Sequence, residues 1–119
     1  MFTYRNADRA SFVWVDVENW VSEWDVRVIE TALRLAELSL AHADPDTAVW
    51  AARKGLSASP VHTELTEALM RAHAARGEKK AVDQVFRSHV AALEDLDIDE
   101  VAESTVDLHA ELRSEQKAS

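Results

Sequence analysis

Apolar and small residues recur along this chain at helical spacing. From about residue 17 to 42, Val17, Val21, Trp24, Val28, Leu35 and Leu38 fall near one face of a helix. Ile29, Leu33, Ala36 and Leu40 fall near another. An apolar arc this broad predicts a first helix covered on two sides, with Asp16 as its N-cap. Asp44-Pro45-Asp46 predicts a turn with proline at a helix start. The second helix then covers about 45–56, with Ala48, Ala51 and Ala52 as a smooth side, and Gly55 and Ser57 to Pro60 ending it. Leu65, Leu69 and Ala72 lay out a third helix over 61–76, closed by Gly77 as a C′ residue free to take positive φ. Ala81, Val85, Phe86, Val90 and Leu93 point inward on a fourth over 78–94. Ile98, Val101, Ala102, Thr105, Leu108 and Leu112 share one side of a fifth over 98–113. Residues 114–119 read as a polar, frayed tail. Residues 1–15 read as a lead-in segment in which Phe12 and Trp14 alternate with polar neighbours, packing Trp14 on the first helix.

The helices repeat. Ala81 follows Ala48 by 33 residues (81 − 48), Ile98 follows Leu65 by 33, and Ala102 follows Leu69 by 33. Two antiparallel pairs and the start of a third unit follow from this period. The predicted fold is therefore all-α: a tetratricopeptide-like right-handed α-solenoid over 16–113, whose surface binds partners.

Composition agrees and narrows the function classes. The 119 residues suffice for one domain with a modest core. Two Gly and two Pro are too few for the turns of an all-β protein. With no cysteine, neither disulfides nor thiolate metal sites can form. No apolar run approaches the 18 residues of a membrane span, and Met1 to Asn6 lacks the basic-then-apolar order of a signal peptide. A cytoplasmic location is expected. A net charge of −9 opposes binding to phosphate backbones and anionic membranes, so no direct nucleic-acid or membrane contact is expected.

The stretch Pro60-x-x-x-Glu64-Leu65-x-x-x-Leu69-Met70-Arg71-Ala72-x-x-x-x-Gly77-x-x-x-Ala81 resembles the bacterial transcriptional activator domain. That domain is the tetratricopeptide-like module of actinobacterial antibiotic regulatory protein type transcription regulators. Val15-Asp16-Val17 followed by Trp20 is similar to the family's entry into its first helix. Leu93-x-x-Leu96 and Thr105-x-x-Leu108 sit where the family ends helix 4 and builds its last helix. The resemblance covers about 15–113. It departs at Asp97-Ile98-Asp99-Glu100, where the family usually has a glycine and a proline, so helix 5 is expected to start or tilt differently. In full-length members, the resemblance implies, the module follows a DNA-reading winged helix and mediates regulation or self-association. The expectation is a domain excised from such a chain. The alternative is a stand-alone adaptor binding a peptide or helix of another protein.

Candidate chemistry is thin. Asp95-x-Asp97-x-Asp99 opens like a calcium loop, but Glu100 and Val106 stand where the sharp-turn glycine and bidentate glutamate are needed. His42, His62, His73, His89 and His109 show no metal-ligand spacing. No nucleophile elbow or phosphate loop can be written. The carboxylate pairs Glu64/Glu67 and Glu94/Asp97 read as solvated helix faces. No enzyme activity, cofactor or metal is expected. Partner contact is the remaining class. In tetratricopeptide arrays the first helix of each pair lines the groove, which by analogy picks out Leu33, Glu37 and Leu40 with Thr66, Met70 and His73. Trp14, Trp20, Trp24 and Trp50 are dense, and Trp is enriched at interface hot spots. Trp50 is the best contact candidate, since Ala48, Ala51 and Ala52 define the packed side of its helix. Arg71, Arg76, Lys79 and Lys80 around the Gly77 turn are a candidate anion-contact patch, or ordinary solvated helix-end charge.

Overall fold

Asp44 and Pro45 start a helix as their order implies. The Asp44 carboxylate accepts a hydrogen bond from the Thr47 N–H at 3.2 Å, and proline occupies the first turn, where its missing N–H costs nothing. That hydrogen bond holds the Asp44 carboxyl below its ordinary range. The computed structural model describes residues 26–118, and these form five helices with no strand among them. We number them α1 (26–41), α2 (Pro45–Ala58), α3 (Thr63–Ala75), α4 (Lys79–Asp95) and α5 (Glu103–Ala118). The all-α prediction holds. The lead-in segment, the seat of Trp14 and the Asp16 cap lie outside the described residues.

Short links at 42–44, 59–62 and 76–78 force consecutive helices to run back beside each other. α3 is central and packs on α2, α4 and α5. Two cores result. Small residues dominate the first: Ala36, Ala48, Ala51, Ala52, Ala68 and Ala72 close around Val49 and Leu69. Larger side chains form the second, where Met70 of α3 meets Val82 of α4 and Leu108 and Leu112 of α5. Gly55 does not end α2 as its residue type implied. It is buried inside the helix, where an added Cβ would lie 2.6 Å from a Leu65 methyl and 3.0 Å from Ala32 Cβ. It is there for close approach rather than for a turn.

Three helices end alike. After α3, the Glu78 N–H bonds the His73 carbonyl and the Gly77 N–H bonds the Ala74 carbonyl, with Gly77 at φ 75°. This is the Schellman closure. α1 and α4 close the same way, but with Ala43 (φ 56°) and Asp97 (φ 59°) in the left-handed position. A non-glycine residue there costs roughly 1–2 kcal/mol. Ala43→Gly is therefore expected to raise stability by about 1 kcal/mol, since Ala43 is exposed and loses no packing. Urea unfolding of both chains checks this, and an unchanged or lower midpoint would contradict it.

The fifth helix departs from expectation at both ends. It starts at Glu103, not 98, and Ile98 to Ala102 form an irregular link. The left-handed Asp97 and the Ile98 N–H bond to the Leu93 carbonyl close α4, and helical hydrogen bonding resumes only where the Thr105 and Val106 N–H groups bond the Ala102 carbonyl. The helix is re-nucleated where Ser104 and Thr105 each donate a hydroxyl hydrogen bond to Glu67 Oε2, both at 2.8 Å. At the far end α5 runs through Ala118, past the predicted stop at 113, because Glu115 to Ala118 are good helix formers with no breaker.

Candidate protein-interaction face

The arc of α1 was expected to be covered twice. One side is: Ala32 and Ala36 are buried, and Leu40 packs on the first core. The other side is open among the described residues. Leu38 is 51% exposed and Leu35 36%. Across the cleft from Leu35, on α2, stands Trp50, 58% exposed, while Ala48, Ala51 and Ala52 are inside. Val28, Thr31 and Leu35 of α1 and Trp50, Ala51 and Lys54 of α2 line a shallow, mostly apolar cleft of about 530 Å³. Lys54 lies one turn beyond Trp50, with Nζ 5.9 Å from the ring centre, within cation–π range. Arg27 of α1 also lines the cleft. The surface is apolar at its centre and basic at its rim, on a chain that is acidic overall.

The expected groove forms only in part. Leu33, Glu37 and Leu40 do line a cleft of about 250 Å³, but α3 contributes Glu64, Glu67, Ala68 and Arg71 to it. Thr66, Met70 and His73 are buried, so none of the three presents a surface there. The register is shifted around the helix: the residues expected at the groove face α4 and α5 instead. Met70 is enclosed by Val82, Leu108 and Leu112.

The candidate basic patch is also dispersed. Arg76 Nε meets Glu78 at 3.3 Å and Asp46 at 3.4 Å. Arg71 lies among Glu37, Glu64 and Glu67. Lys79 lies with Arg113 on the α4–α5 side, and Lys80 is exposed. Glu78 in turn accepts a 2.8 Å bond from His73 Nδ1, which, with Arg76 nearby, keeps its carboxyl below the ordinary range.

Two polar features, one buried and one half-buried, escaped the sequence reading. His89, for which the sequence offers no role, is in the core with its Nδ1 3.3 Å from Thr66 Oγ1. The Thr66 hydroxyl already donates to the His62 carbonyl at 2.9 Å, so His89 Nδ1 must carry the proton and donate. Its Nε2 is buried without a partner. Burial therefore pushes the His89 pKa below the ordinary 6.5, with Glu67 opposing weakly. At the α4–α5 seam His109 stacks on Phe86 at 4.1 Å and bonds Asp83 at 2.7 Å, holding the Asp83 carboxyl low.

The sign of the pH effect follows. The unfolded chain binds a proton at position 89 more readily than the folded one, so acid favours unfolding. Stability is complete above pH 6.5 and falls as the pH drops below that value toward the lowered folded pKa. Loss through Asp83 and Glu78 sets in later, below about pH 4.5. Urea midpoints at pH 7.5 and 5.5 are expected to fall in the wild type and to differ less in His89→Gln. Equal pH sensitivity in both chains would contradict this.

A cleft of about 390 Å³ lies between α2, α3 and α4, with His73 and His89 in its walls. Their Nε2 atoms are closed off from solvent and offer nothing to a bound molecule. Among the described residues no group of three or more His, Asp or Glu gathers to hold a metal, and no helix is long and apolar enough to cross a membrane. Comparison with protein-family models, with curated proteins and with solved structures finds no match.

Proposed function

We propose that this domain is a regulatory protein–protein interaction module that docks an apolar helix face, of a second copy or a neighbouring domain, onto the α1–α2 cleft. The observation that carries the reading is Trp50. A tryptophan 58% exposed shares a mostly apolar cleft with Val28 and Leu35. Such patches on soluble domains mark contact sites, and Trp is a frequent anchor in them. The cleft is open and lined by helix surfaces, which suits an amphipathic helix laid along it. The regulatory setting, within a bacterial transcription regulator whose DNA-reading part lies elsewhere, rests on the likeness of Pro60 to Ala81 to the activator-domain pattern.

Trp50→Ala tests the docking surface. The side chain takes little part in the core, so far-UV circular dichroism is expected to be unchanged. Self-association is expected to weaken by about 2 kcal/mol, roughly thirtyfold in the dissociation constant. Light scattering over a concentration series measures it. Unfolding of the variant, or association equal to wild type, would remove Trp50 from the contact.

A further inference from the structure

The open face lies where the chain enters. Arg27 lines the cleft, and the described residues begin one position before it, at Val26. Residues 1–25 attach there. That segment holds Phe2, Tyr4, Phe12, Trp14, Trp20 and Trp24, six of the chain's eight aromatic residues. It carries Arg5 and Arg9 against Asp8, Asp16, Glu18, Glu23 and Asp25, a net charge of −3. The cleft offers Trp50 and Leu35 at its centre, and Arg27 and Lys54 at its edges. An apolar cleft with two basic side chains is complementary to an aromatic-rich, acidic segment.

We infer that the first occupant of the α1–α2 cleft is residues 1–25 of the same chain, with Phe12 and Trp14 seated against Leu35 and Trp50. The inference rests on the reading of this cleft as a docking surface and adds what controls it. Phe12 and Trp14 are two residues apart, so an extended stretch presents both to one side. Trp14 stands 13 residues before Arg27 (27 − 14), and such a link spans up to roughly 40 Å, ample for the chain to fold back. A tether of this length holds the segment at an effective concentration on the order of millimolar. A second copy at micromolar concentration competes at about a thousandfold disadvantage. Intrachain docking therefore wins until a partner is concentrated or binds more tightly, and docking of that partner releases residues 1–25.

The test uses the full chain with Trp14→Phe, Trp20→Phe and Trp24→Phe, which leaves Trp50 as sole fluorophore. At low micromolar concentration and the monomer mass of 13.3 kDa, Trp50 is expected to emit to the blue and resist acrylamide quenching. Phe12→Ser, with Trp14→Ser in place of Trp14→Phe, is expected to steepen quenching several-fold and to bring association to lower concentration. A freely quenched Trp50 in the monomer would overturn the inference. Protection that appears only as the mass rises would overturn it too, while supporting docking of a second copy. If the serine chain stays monomeric at every concentration, self-association through this face fails while the intrachain contact stands. A second measurement is independent of these variants. The chain lacks cysteine, so Phe12→Cys with Leu35→Cys is expected to form an intrachain disulfide under mild oxidation. No disulfide, or interchain crosslinks alone, would overturn intrachain docking.

Discussion

Met70→Ala is expected to cost about 2–5 kcal/mol of folding stability, the range for truncating a fully buried methionine. Met70 has no solvent exposure and joins three helices, touching Val82 of α4 and Leu108 and Leu112 of α5. Removing its side chain leaves a void that these neighbours cannot fill without moving a helix. The surrounding seam is anchored by polar contacts that fix its spacing. His109 is held between Phe86 and Asp83, and Glu67 takes the hydroxyls of Ser104 and Thr105. Collapse around the void is therefore resisted, which places the loss toward the upper part of the range. Met70→Leu keeps most of the volume and is expected to cost under about 1.5 kcal/mol. Urea unfolding followed by circular dichroism measures both. A loss below about 1 kcal/mol for the alanine would mean that α5 is not tied to the core through this residue.

Gly55→Val is expected to be nearly as damaging for the opposite reason. The first core is built from alanines, and its helices are close. A Cβ at position 55 would stand 2.6 and 2.9 Å from the two Leu65 methyls and 3.0 Å from Ala32 Cβ. Leu65 is completely buried and has nowhere to turn. Overpacking of this kind costs typically about 1–3 kcal/mol, and valine adds two methyls beyond the Cβ, so the expected loss is about 3 kcal/mol. Gly55→Ala gains about 1 kcal/mol of helix propensity and is expected to lose less. Thermal melts of the three chains should rank glycine above alanine above valine. A valine chain as stable as wild type would show that α1, α2 and α3 are not packed this tightly.

Much of this fold was legible because its signals are local. Asp44-Pro45 and Gly77 mark helix ends through their own backbone chemistry, and alanine spacing marks the close-packed side of α2. Trp50 stood out for the same reason, as the large residue opposite three buried alanines. What escaped depended on contacts far along the chain. Ala43 and Asp97 take left-handed conformations that their residue types do not demand. Ile98, Val101 and Ala102 keep a helical period, yet they form the link that carries the chain toward the docking of α5 on Glu67. His89 looks like a surface residue until Thr66 is found beside it. The groove register on α3 was misplaced because Met70 and His73 are drawn inward by α4 and α5, which single-helix spacing cannot reveal. Residues 1–15 were read as a lead-in that packs Trp14 on the first helix, and residues 17–25 as the start of that helix; both expectations lie outside the described residues.

The docking role of the α1–α2 face is tested most directly by nuclear magnetic resonance of the labelled full chain, recorded as it is concentrated from monomer to associated form. The largest shift changes are expected at the Trp50 indole and at Val28, Leu35, Ala51 and Lys54. Changes gathered instead on exposed positions of α4, such as Gln84 and Ser88, with the Trp50 indole unmoved, would contradict it.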